Sequence, residues 1–366
     1  MRVIVIGAGL GGLTLAHALL GAGIDVAVYE RDAGRAQGVS LHLDDRGLEA
    51  LRACLPPAHF ALVEATAGGP RERTLTLAEV GDELAVVDSR PSDGLAGRAR
   101  PGRQVHRPLL RAVLLTGLAG VVRFGAEFTR FEQRADGTVR VCFADGGTDT
   151  GDVLVGADGV GSAVRRGYLP DVRVTDTGRR MIMGATPLRA VAGTGVPGMI
   201  GDSPAAARVR GTMMALGVLR FTRRPMTARA ELLPALSLHA DVEDYVMWAL
   251  PGSSLSTATV WRQAQDLPPA LRLIVAEAWP DVTTALRIGT IPPMPAWPAT
   301  RVTLIGDAIH PAPGFGGNLA MRDAHRLGAA LAEANRGGLG LLEAIGGYEE
   351  TMRRTSFPPI PAKAGA

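Results

Sequence analysis

The chain has 366 residues, of which 46% are hydrophobic and 20% charged, and its formal net charge is +3. This length and composition are typical of a globular protein with one large domain or two closely associated ones. Its two cysteines form no C-x-x-C motif, no long run of lysine or arginine occurs, and no apolar run reaches the ~18 residues needed to cross a bilayer. These features argue against a disulfide framework, a zinc site, nucleic-acid binding and a membrane span, and they predict a soluble, cytoplasmic protein.

The first 32 residues predict a β-α-β unit. An apolar run over residues 3–6 leads into a glycine-rich turn, in which Gly7, Gly9 and Gly12 have the G-x-G-x-x-G spacing. A helix with apolar periodicity follows, and a second strand over 25–29 ends on Glu30. This order of strand, glycines, helix, strand and acid is the context in which the glycine motif indicates dinucleotide binding.

The glycines, the helix start and the acid of this unit each have a role in binding a dinucleotide. Gly7 allows the tight turn, Gly9 lets the backbone approach a pyrophosphate, and Gly12 lets the helix pack closely on the strand. The start of the helix presents N–H groups and a partial positive charge to phosphates. Glu30 follows the second strand, where a carboxylate can accept hydrogen bonds from both hydroxyls of an adenosine ribose.

The rest of the chain predicts further elements in order. Helical spacing marks residues 46–55, 105–115 (with Pro108 in the first turn), 268–278, 319–334 and 340–353. Strands are predicted over 39–43, two stretches within 72–88, and 121–131, 139–143, 153–155 and 302–305. Residues 180–265 predict a separate antiparallel sheet with few helices, with strands at 181–186, 212–221, 245–250 and 258–262. Residues 89–102 predict a loop, and residues 357–366 a disordered tail.

Two further junctions carry an aspartate just after an apolar strand. Asp158 follows the strand at 153–155 in an Ala-Asp-Gly sequence, and Asp307 follows the strand at 302–305 in a Gly-Asp-Ala sequence. Ligands of open α/β sheets bind at the carboxyl ends of the strands, which is where both aspartates are expected.

With these three motifs in this order, the chain resembles the flavin-dependent aromatic hydroxylases, the family of para-hydroxybenzoate hydroxylase. Within the family it is most similar to the compact tetracycline-inactivating and salicylate-hydroxylase-like members, from Arg2 to about Arg353. The resemblance implies an α/β fold, with a Rossmann-like FAD-binding domain (GR2-type) and an inserted antiparallel β-sheet substrate domain. The FAD-binding domain would comprise 1–70, 100–178 and 280–356, and the substrate domain 71–99 and 179–279.

The resemblance also implies an activity. The chain would be an FAD-dependent monooxygenase of secondary metabolism that uses NADPH or NADH and O2 to hydroxylate an aromatic or polycyclic, polyketide-like small molecule. The reaction would proceed through a flavin C4a-hydroperoxide, which asks the protein to hold the ring, exclude water and orient the substrate. We therefore nominate no catalytic acid or base. A monomer or weak homo-oligomer without nucleic-acid or membrane partners is expected.

The cofactor residues carried over from the family fall into three groups. Around the first motif, the phosphates and the adenosine would be held by Gly7, Gly9, Leu10, Gly11, Gly12, Glu30, Arg31 and Phe128. Arg107, in V-H-R-P-L-L-R, would contact phosphate or ribityl oxygens, Asp158 would lie near the pyrophosphate, and Asp307 would bind the ribityl chain. The flavin edge would meet the backbone of Gly314, Gly316, Gly317 and Asn318.

One segment departs from the family pattern. His310 is followed directly by Pro311, so the loop beside the flavin is about three residues shorter than in the family. The shortening falls either before the Pro-x-x-Gly-x-Gly segment or within it. We interpret His310 as a structural residue.

The substrate is expected between the flavin and the second sheet. Candidate lining residues on that sheet and on the shortened loop are Met183, Arg210, Met213, Met214, Phe221, Trp248 and Pro311. Because aromatic residues make up only 4% of the chain, methionine-rich walls would suit a polycyclic guest.

Two alternatives to a hydroxylase remain open. The first is another flavoenzyme of the same fold, such as a reductase, an epoxidase or a Baeyer–Villiger catalyst; a halogenase is disfavoured because the W-x-W-x-I-P motif is absent. The second is a degenerate FAD-binding protein, which the shortened loop would explain.

Overall fold

The computed structural model describes residues 1–32, 38–94, 100–252, 256, 258–312 and 316–357. The strands in these residues are β1 (Arg2–Ile6), β2 (Asp25–Glu30), β3 (Ser40–Asp44), β4 (Pro70–Arg71), β5 (Arg73–Val80), β6 (Glu83–Pro91), β7 (Gly102–His106), β8 (Val122–Phe124), β9 (Phe128–Gln133), β10 (Val139–Phe143), β11 (Thr148–Gly151), β12 (Val153–Gly156), β13 (Thr175–Pro187), β14 (Ala205–Val209), β15 (Thr212–Leu219), β16 (Tyr245–Gly252), β17 (Thr284–Thr290) and β18 (Val302–Leu304). The helices are α1 (Leu10–Gly21), α2 (Asp45–Cys54), α3 (Pro57–Thr66), α4 (Arg107–Leu115), α5 (Ala163–Tyr168), α6 (Leu188–Val191), α7 (Val196–Ile200), α8 (Pro225–Leu232), α9 (Ala258–Gln265), α10 (Pro269–Ala276), α11 (Gly316–Asn335) and α12 (Leu341–Ser356).

A five-stranded parallel sheet forms the centre of the first domain. Its strand order is β18-β12-β1-β2-β8, and every neighbouring pair is parallel. The central strand β1 is apolar without alternation because both of its faces are covered, and Val3, Ile4 and Val5 are fully buried. Helix α1 packs between this sheet and α11, so it too is apolar on nearly all sides.

A seven-stranded sheet forms the second domain, in the order β17-β13-β16-β15-β14-β5-β6. Its pairs are antiparallel apart from β14 with β5, which is parallel. One face packs against α9 and α10 in a separate core that includes Trp248, Val260 and Leu271. Two smaller antiparallel sheets, β11-β10-β9 and β3-β7-β4, complete the structure.

The α/β fold with a Rossmann-like parallel sheet and a separate, largely antiparallel sheet confirms the predicted fold class. The seven-stranded sheet takes β5 and β6 from the earlier segment and β13 to β17 from the later one, as the predicted insertion requires. It extends to β17, however, so its last strand lies beyond the predicted domain boundary at residue 279.

Arg71 connects the two domains. It is 2% exposed on β4, and its Nη2 donates to the carbonyl oxygen of Val218 on β15 at 3.3 Å. A Cβ atom at Gly217 would lie 2.7 Å from Arg71 Nη2, so glycine makes room for the guanidinium. Burial lowers the pKa of Arg71 to about 10, so the side chain is still a cation at neutral pH.

Some predicted elements differ from the structure. Residues 258–262 were expected to form a strand but belong to α9, because Val260 and Ala264 are four residues apart and both pack into the core of the second domain. Helix α3 is not among the predicted elements; Pro57, a residue type that often follows the end of a helix, stands here at the first position of a new one. The helix predicted from residue 105 begins at Arg107, since Val105 pairs with Leu41 in a strand.

Candidate functional site

Two glycines of the first turn are required by contacts within the chain. Gly7 has φ of +109°, and a Cβ atom there would lie 2.4 Å from the carbonyl oxygen of Ala157 on the neighbouring strand end. A Cβ atom at Gly12 would lie 2.1 Å from the carbonyl oxygen of Gly7. These close approaches bring β1, β12 and the start of α1 together, as the motif predicts.

Gly9 has no such internal reason. A Cβ atom at Gly9 would meet nothing within 4 Å, and Gly9 is the N-cap of α1 without a side-chain hydrogen bond to the helix start. The first N–H groups of this 12-residue helix are therefore free of a side-chain cap. Open space before an uncapped helix start is the geometry that accepts a pyrophosphate.

A cavity of about 370 Å³ opens in front of this turn. It is bounded by the ends of β1, β2 and β12, by the start of β9 and by α4. It brings together eight of the predicted cofactor residues, namely Gly7, Gly9, Leu10, Glu30, Arg31, Arg107, Phe128 and Asp158. Gly11 and Gly12 lie behind it, and Gly11 faces Ala320 of α11.

Hydrogen bonds from nearby residues fix Glu30 and Asp158 at the rim. Glu30 Oε2 accepts from the N–H of Ala8 at 2.8 Å, and Oε1 accepts from the N–H of Asp32 at 2.9 Å. Asp158 accepts from Ser162 Oγ at 2.5 Å and from the N–H of Ala163 at 2.7 Å. Both carboxylates therefore order the turns that form the cavity as well as lining it.

The cavity is strongly basic on the side of α4. Arg107 and Arg111 lie one helical turn apart and both line it, together with Arg166 of α5. Burial lowers the pKa of Arg107, an effect that the charge of Asp307 partly offsets. Arg111 and Arg166 are not among the predicted cofactor residues, although the four-residue spacing from Arg107 places Arg111 on the same face of α4.

Asp307 lies in a 3-10 turn after β18, and its Oδ1 is buried without a hydrogen-bond partner among the described residues. Burial raises the pKa of this carboxyl, while His310 and Arg107 act in the opposite direction. A Cβ atom at Gly316 would lie 2.4 Å from Asp307 Oδ1, so glycine permits the start of α11 to approach it. A buried acceptor without a donor is costly, and a ribityl hydroxyl is a suitable donor.

The residues after this loop hold α11 in place. Asn318 is buried; its Oδ1 accepts from the N–H of Asp44 at 3.0 Å and its Nδ2 donates to the carbonyl oxygen of His42 at 2.8 Å. A Cβ atom at Gly317 would lie 3.1 Å from the side chain of Leu41. Both residues thus position the loop against β3 and lie outside the lining of the 370 Å³ cavity. Gly314 lies outside the described residues.

His310 points away from the cofactor cavity. Its Nε2 lies 2.5 Å from Asp323 Oδ2, and the same oxygen accepts from the N–H of Gly306 at 2.9 Å. Burial is the largest single effect and lowers the pKa of His310, but the charge of Asp323, the hydrogen bond to it and the charge of Asp307 together raise this pKa above its ordinary value. The pair ties the Gly-Asp-Ala turn to α11, a structural role.

A second cavity, of about 600 Å³, lies on the face of the seven-stranded sheet opposite its helices. Its apolar lining includes Met181, Met213, Ala215 and Ala249 from β13, β15 and β16, and Arg179 and Arg180 of β13 also line it. Pro311, which follows the Asp307 turn, also lines it. Of the predicted substrate residues, Met213 and Pro311 therefore meet in one cavity.

The other predicted substrate residues lie elsewhere. Trp248 and Met214 are fully buried on the helix-covered face, and Trp248 Nε1 donates to Thr186 Oγ1 at 3.1 Å. Arg210 forms an ion pair with Glu79 at 2.9 Å in the exposed turn between β14 and β15. Phe221 follows β15 and packs against His106, and Met183 is outside the cavity lining. For Met214 and Trp248 the alternation of the strand decides the position, because neighbouring residues face opposite sides of a sheet.

No helix in the described part of the chain is long and apolar enough to cross a membrane. Within the same residues, no group of three or more histidine, cysteine, aspartate or glutamate side chains is arranged to hold a metal ion.

Comparison with known proteins agrees with this geometry. The chain is 31% identical to a dual O-methyltransferase/FAD-dependent monooxygenase of Phaeosphaeria nodorum, with 91% of this chain and 40% of the relative covered. It is 30% identical to the FAD-dependent urate hydroxylase of Klebsiella pneumoniae, covering 91% of this chain and 82% of the relative. A solved structure of a putative FAD containing monooxygenase from Photorhabdus luminescens superposes with a TM-score of 0.79 at 28% identity, covering 96% and 94% of the two chains.

The chain spans about two fifths of the length of the fungal relatives that it matches. The model of the FAD binding domain family matches residues 1–191 and 294–351, which are the residues that build the parallel sheet and the cofactor cradle. Gly9, with open space before an uncapped helix, and the unpartnered Oδ1 of Asp307 are the features that fit this cofactor. The chain belongs to the FAD binding domain family, and its cofactor is FAD.

Proposed function

We propose that the chain is an FAD-dependent monooxygenase that takes electrons from NADPH or NADH and inserts one oxygen atom of O2 into an aromatic or polycyclic small molecule. The cavity of about 600 Å³ between the seven-stranded sheet and Pro311 carries the proposal, because it provides a substrate site beside the segment that follows Asp307. The named activities of the relatives support the reaction class.

The lining residues set the chemical class of the substrate. Met181, Met213, Ala215 and Ala249 offer an apolar wall without bulky side chains, and methionine adapts its shape to a guest. Flat, fused rings fit such a wall, since most of their surface is apolar.

The residues of the chain have distinct tasks in this reaction. Arg107, Arg111 and the start of α1 hold phosphates, Glu30 is placed for the ribose, and Asp307 accepts from the ribityl chain. Bound FAD, once NADPH or NADH has reduced it, would supply the chemistry that activates dioxygen. The apolar wall excludes water and orients the substrate, which needs no dedicated acid or base from the chain.

The first experiment records the visible spectrum of the purified protein with FAD, adds NADPH or NADH without air, and then readmits air. We expect a flavin band that bleaches and returns. Substrate candidates are then compared by NAD(P)H consumption and by the oxygen content of the product, with polycyclic phenols against single-ring phenols.

The outcomes separate the alternatives. Product containing one oxygen atom from O2 supports the proposal. Flavin that is reduced but yields only hydrogen peroxide with every compound, or a product without new oxygen, favours a different flavoenzyme. Protein that binds FAD but is never reduced favours a degenerate member.

A further inference from the structure

A third cavity, of about 560 Å³, lies on the FAD-binding domain between α2, α11 and α12. We call it the arginine groove. Its charged or polar lining residues are Arg46, Glu49, Arg322, His325, Arg326 and Thr355. It shares no lining residue with the cofactor cavity or the substrate cavity.

The charges in the arginine groove are unbalanced. Three arginines and a histidine face a single carboxylate, Glu49. Within the described residues none of these arginines has an ion-pair partner, and Arg326 Nη1 donates only to the hydroxyl of Thr355, at 2.9 Å. The nearby Arg100, by contrast, pairs with Asp45 at 3.0 Å.

The three guanidinium groups act on one another. Burial lowers the pKa of Arg322, and the like charges of Arg326 and Arg46 lower it further, against a smaller opposite effect of Asp44 and Asp323. A cluster of like charges held at fixed positions on helices is stabilised by a bound anion. Carboxylate and phosphate oxygens both match the planar guanidinium fork, and a phosphomonoester, with its charge of about −2, answers three arginines better than a single carboxylate does.

The groove lies along the helix that starts at the flavin loop. Arg322 follows Asn318 by four residues and Arg326 by eight, so all three share one face of α11. At the rise of an α-helix, Arg322 is about 6 Å and Arg326 about 12 Å along the axis from Asn318. A dinucleotide with its phosphate in the groove could therefore extend along α11 toward Asn318, the end of the helix that is predicted to meet the flavin edge.

We propose that the arginine groove binds a phosphomonoester dianion, and that its source is the 2′-phosphate of NADPH. This inference rests on the proposed function for the identity of the reductant, but the binding of the anion does not. A free phosphate ester carries the same chemistry, so the experiment distinguishes the two sources.

The test uses the FAD-loaded protein, so that the probes do not enter the cofactor cavity. Isothermal titration calorimetry compares adenosine 2′-phosphate, adenosine and inorganic phosphate for the wild type, Arg322→Gln, Arg326→Gln and Glu49→Gln. Arg262→Gln is the matched control, because Arg262 is exposed on α9, far from the groove in the chain. Thermal unfolding of each variant checks its folding.

We expect adenosine 2′-phosphate to bind and adenosine not to bind. Each groove arginine variant weakens binding about tenfold, the loss of one charge-assisted hydrogen bond. Glu49→Gln strengthens binding, because it removes the only carboxylate in the lining. A gain of affinity cannot be produced by misfolding. Arg262→Gln leaves binding unchanged.

Kinetics then identifies the source. If the groove holds the 2′-phosphate, Arg326→Gln raises the NADPH concentration needed for half-maximal flavin reduction and leaves that for NADH unchanged. Two results together would overturn NADPH as the source and retain the anion site. The first is an affinity for inorganic phosphate equal to that for adenosine 2′-phosphate. The second is an Arg326→Gln variant in which the half-maximal concentrations of NADPH and NADH change equally or not at all. Absence of binding by both phosphate probes overturns the proposal, whether or not the protein proves to be a monooxygenase.

Discussion

At the scale of single residues, the three motif glycines differ in what they do. Gly7 and Gly12 are required by contacts of 2.4 Å and 2.1 Å that a Cβ atom would make with backbone oxygens. A Cβ atom at Gly9 would meet nothing within 4 Å, so contacts within the described residues do not require glycine there. We propose that Gly7 and Gly12 serve the fold and that Gly9 leaves room for the pyrophosphate.

Substitution of these glycines tests the distinction. We expect Gly9→Ala to leave the unfolding free energy of the apoprotein unchanged and to weaken FAD binding by about tenfold, ~1.4 kcal/mol. Gly7→Ala is expected to destabilise the apoprotein by about 2 kcal/mol or more, because it adds a steric clash to an unfavourable positive φ. Urea unfolding and flavin fluorescence titration measure the two effects. Equal loss of stability in both variants would refute the assignment of Gly9 to binding.

Asp307 provides a second test at this scale. Because its buried Oδ1 has no partner in the described residues, we expect Asp307→Ala to raise the stability of the apoprotein by about 1 kcal/mol. The same variant should bind FAD more weakly, since the acceptor for the ribityl chain is lost. Asp158→Ala is the comparison: it removes bonds to Ser162 and Ala163, and should destabilise the apoprotein. An apoprotein destabilised by Asp307→Ala would contradict the binding role.

At the scale of elements, neighbouring residues of β15 face a core on one side of the sheet and the proposed substrate cavity on the other. Met214 is fully buried against the helices of the second domain, whereas its neighbour Met213 is 44% exposed in the substrate cavity. The alternation of a strand places these two identical side chains on opposite faces.

The two methionines form a matched pair for experiment. We expect Met214→Ala to lower the unfolding free energy by about 2–5 kcal/mol, the range for a large side chain removed from a core. Met213→Ala should change it by less than about 1 kcal/mol and alter the KM for the substrate. Chemical denaturation and steady-state kinetics are the measurements. A stability loss of similar size in both variants would show that Met213 also belongs to a core.

At the scale of the whole molecule, the contact between the domains is polar and buried. His42 and His106 lie on neighbouring strands of the β3-β7-β4 sheet, close to Arg71 and Tyr245 respectively. Burial, and for His42 also the charge of Arg71, lowers the pKa of each histidine to about 4. Both histidines are therefore neutral in the folded protein at neutral pH.

This arrangement predicts acid sensitivity. Below about pH 6.5 the unfolded chain binds protons at these histidines and the folded chain does not, so stability falls as the pH drops toward 4. The fall in pKa from 6.5 to about 4 corresponds to a loss of roughly 3 kcal/mol of unfolding free energy for each histidine at pH values below 4. Urea unfolding of wild type and His106→Gln at pH 7 and pH 4.5 measures it, with exposed His239→Gln as control. We expect the loss of unfolding free energy between pH 7 and pH 4.5 to be smaller in His106→Gln than in the wild type, and unchanged in His239→Gln. An unchanged loss in His106→Gln would show that this histidine does not cause the acid sensitivity.

The sequence alone was enough to predict the β-α-β unit of residues 1–32 that forms much of the cofactor cavity. Its strand, glycine turn, helix and acid are consecutive, so spacing within 32 residues was enough to predict the dinucleotide site and, with Asp158 and Asp307, the family. The same local information predicted the inserted sheet, because strand-like runs dominate residues 180–250.

Only the tertiary structure decided which face of that sheet the helices cover and which face bears the cavity that we propose for the substrate. Helices cover one face, and the other face bears a cavity that Pro311 also lines. Because both faces carry apolar residues, the sequence does not show that Met214 and Trp248 face the helices while Met213 and Ala249 face the cavity. Asp44 and His42, the hydrogen-bond partners of Asn318, lie far away in the chain. The partner of His310 is Asp323, a buried residue of α11. The arginine groove depends on packing of α2 beside α11, which brings Arg46 next to Arg322 across 276 positions of sequence. Long-range packing, and not local pattern, creates such sites.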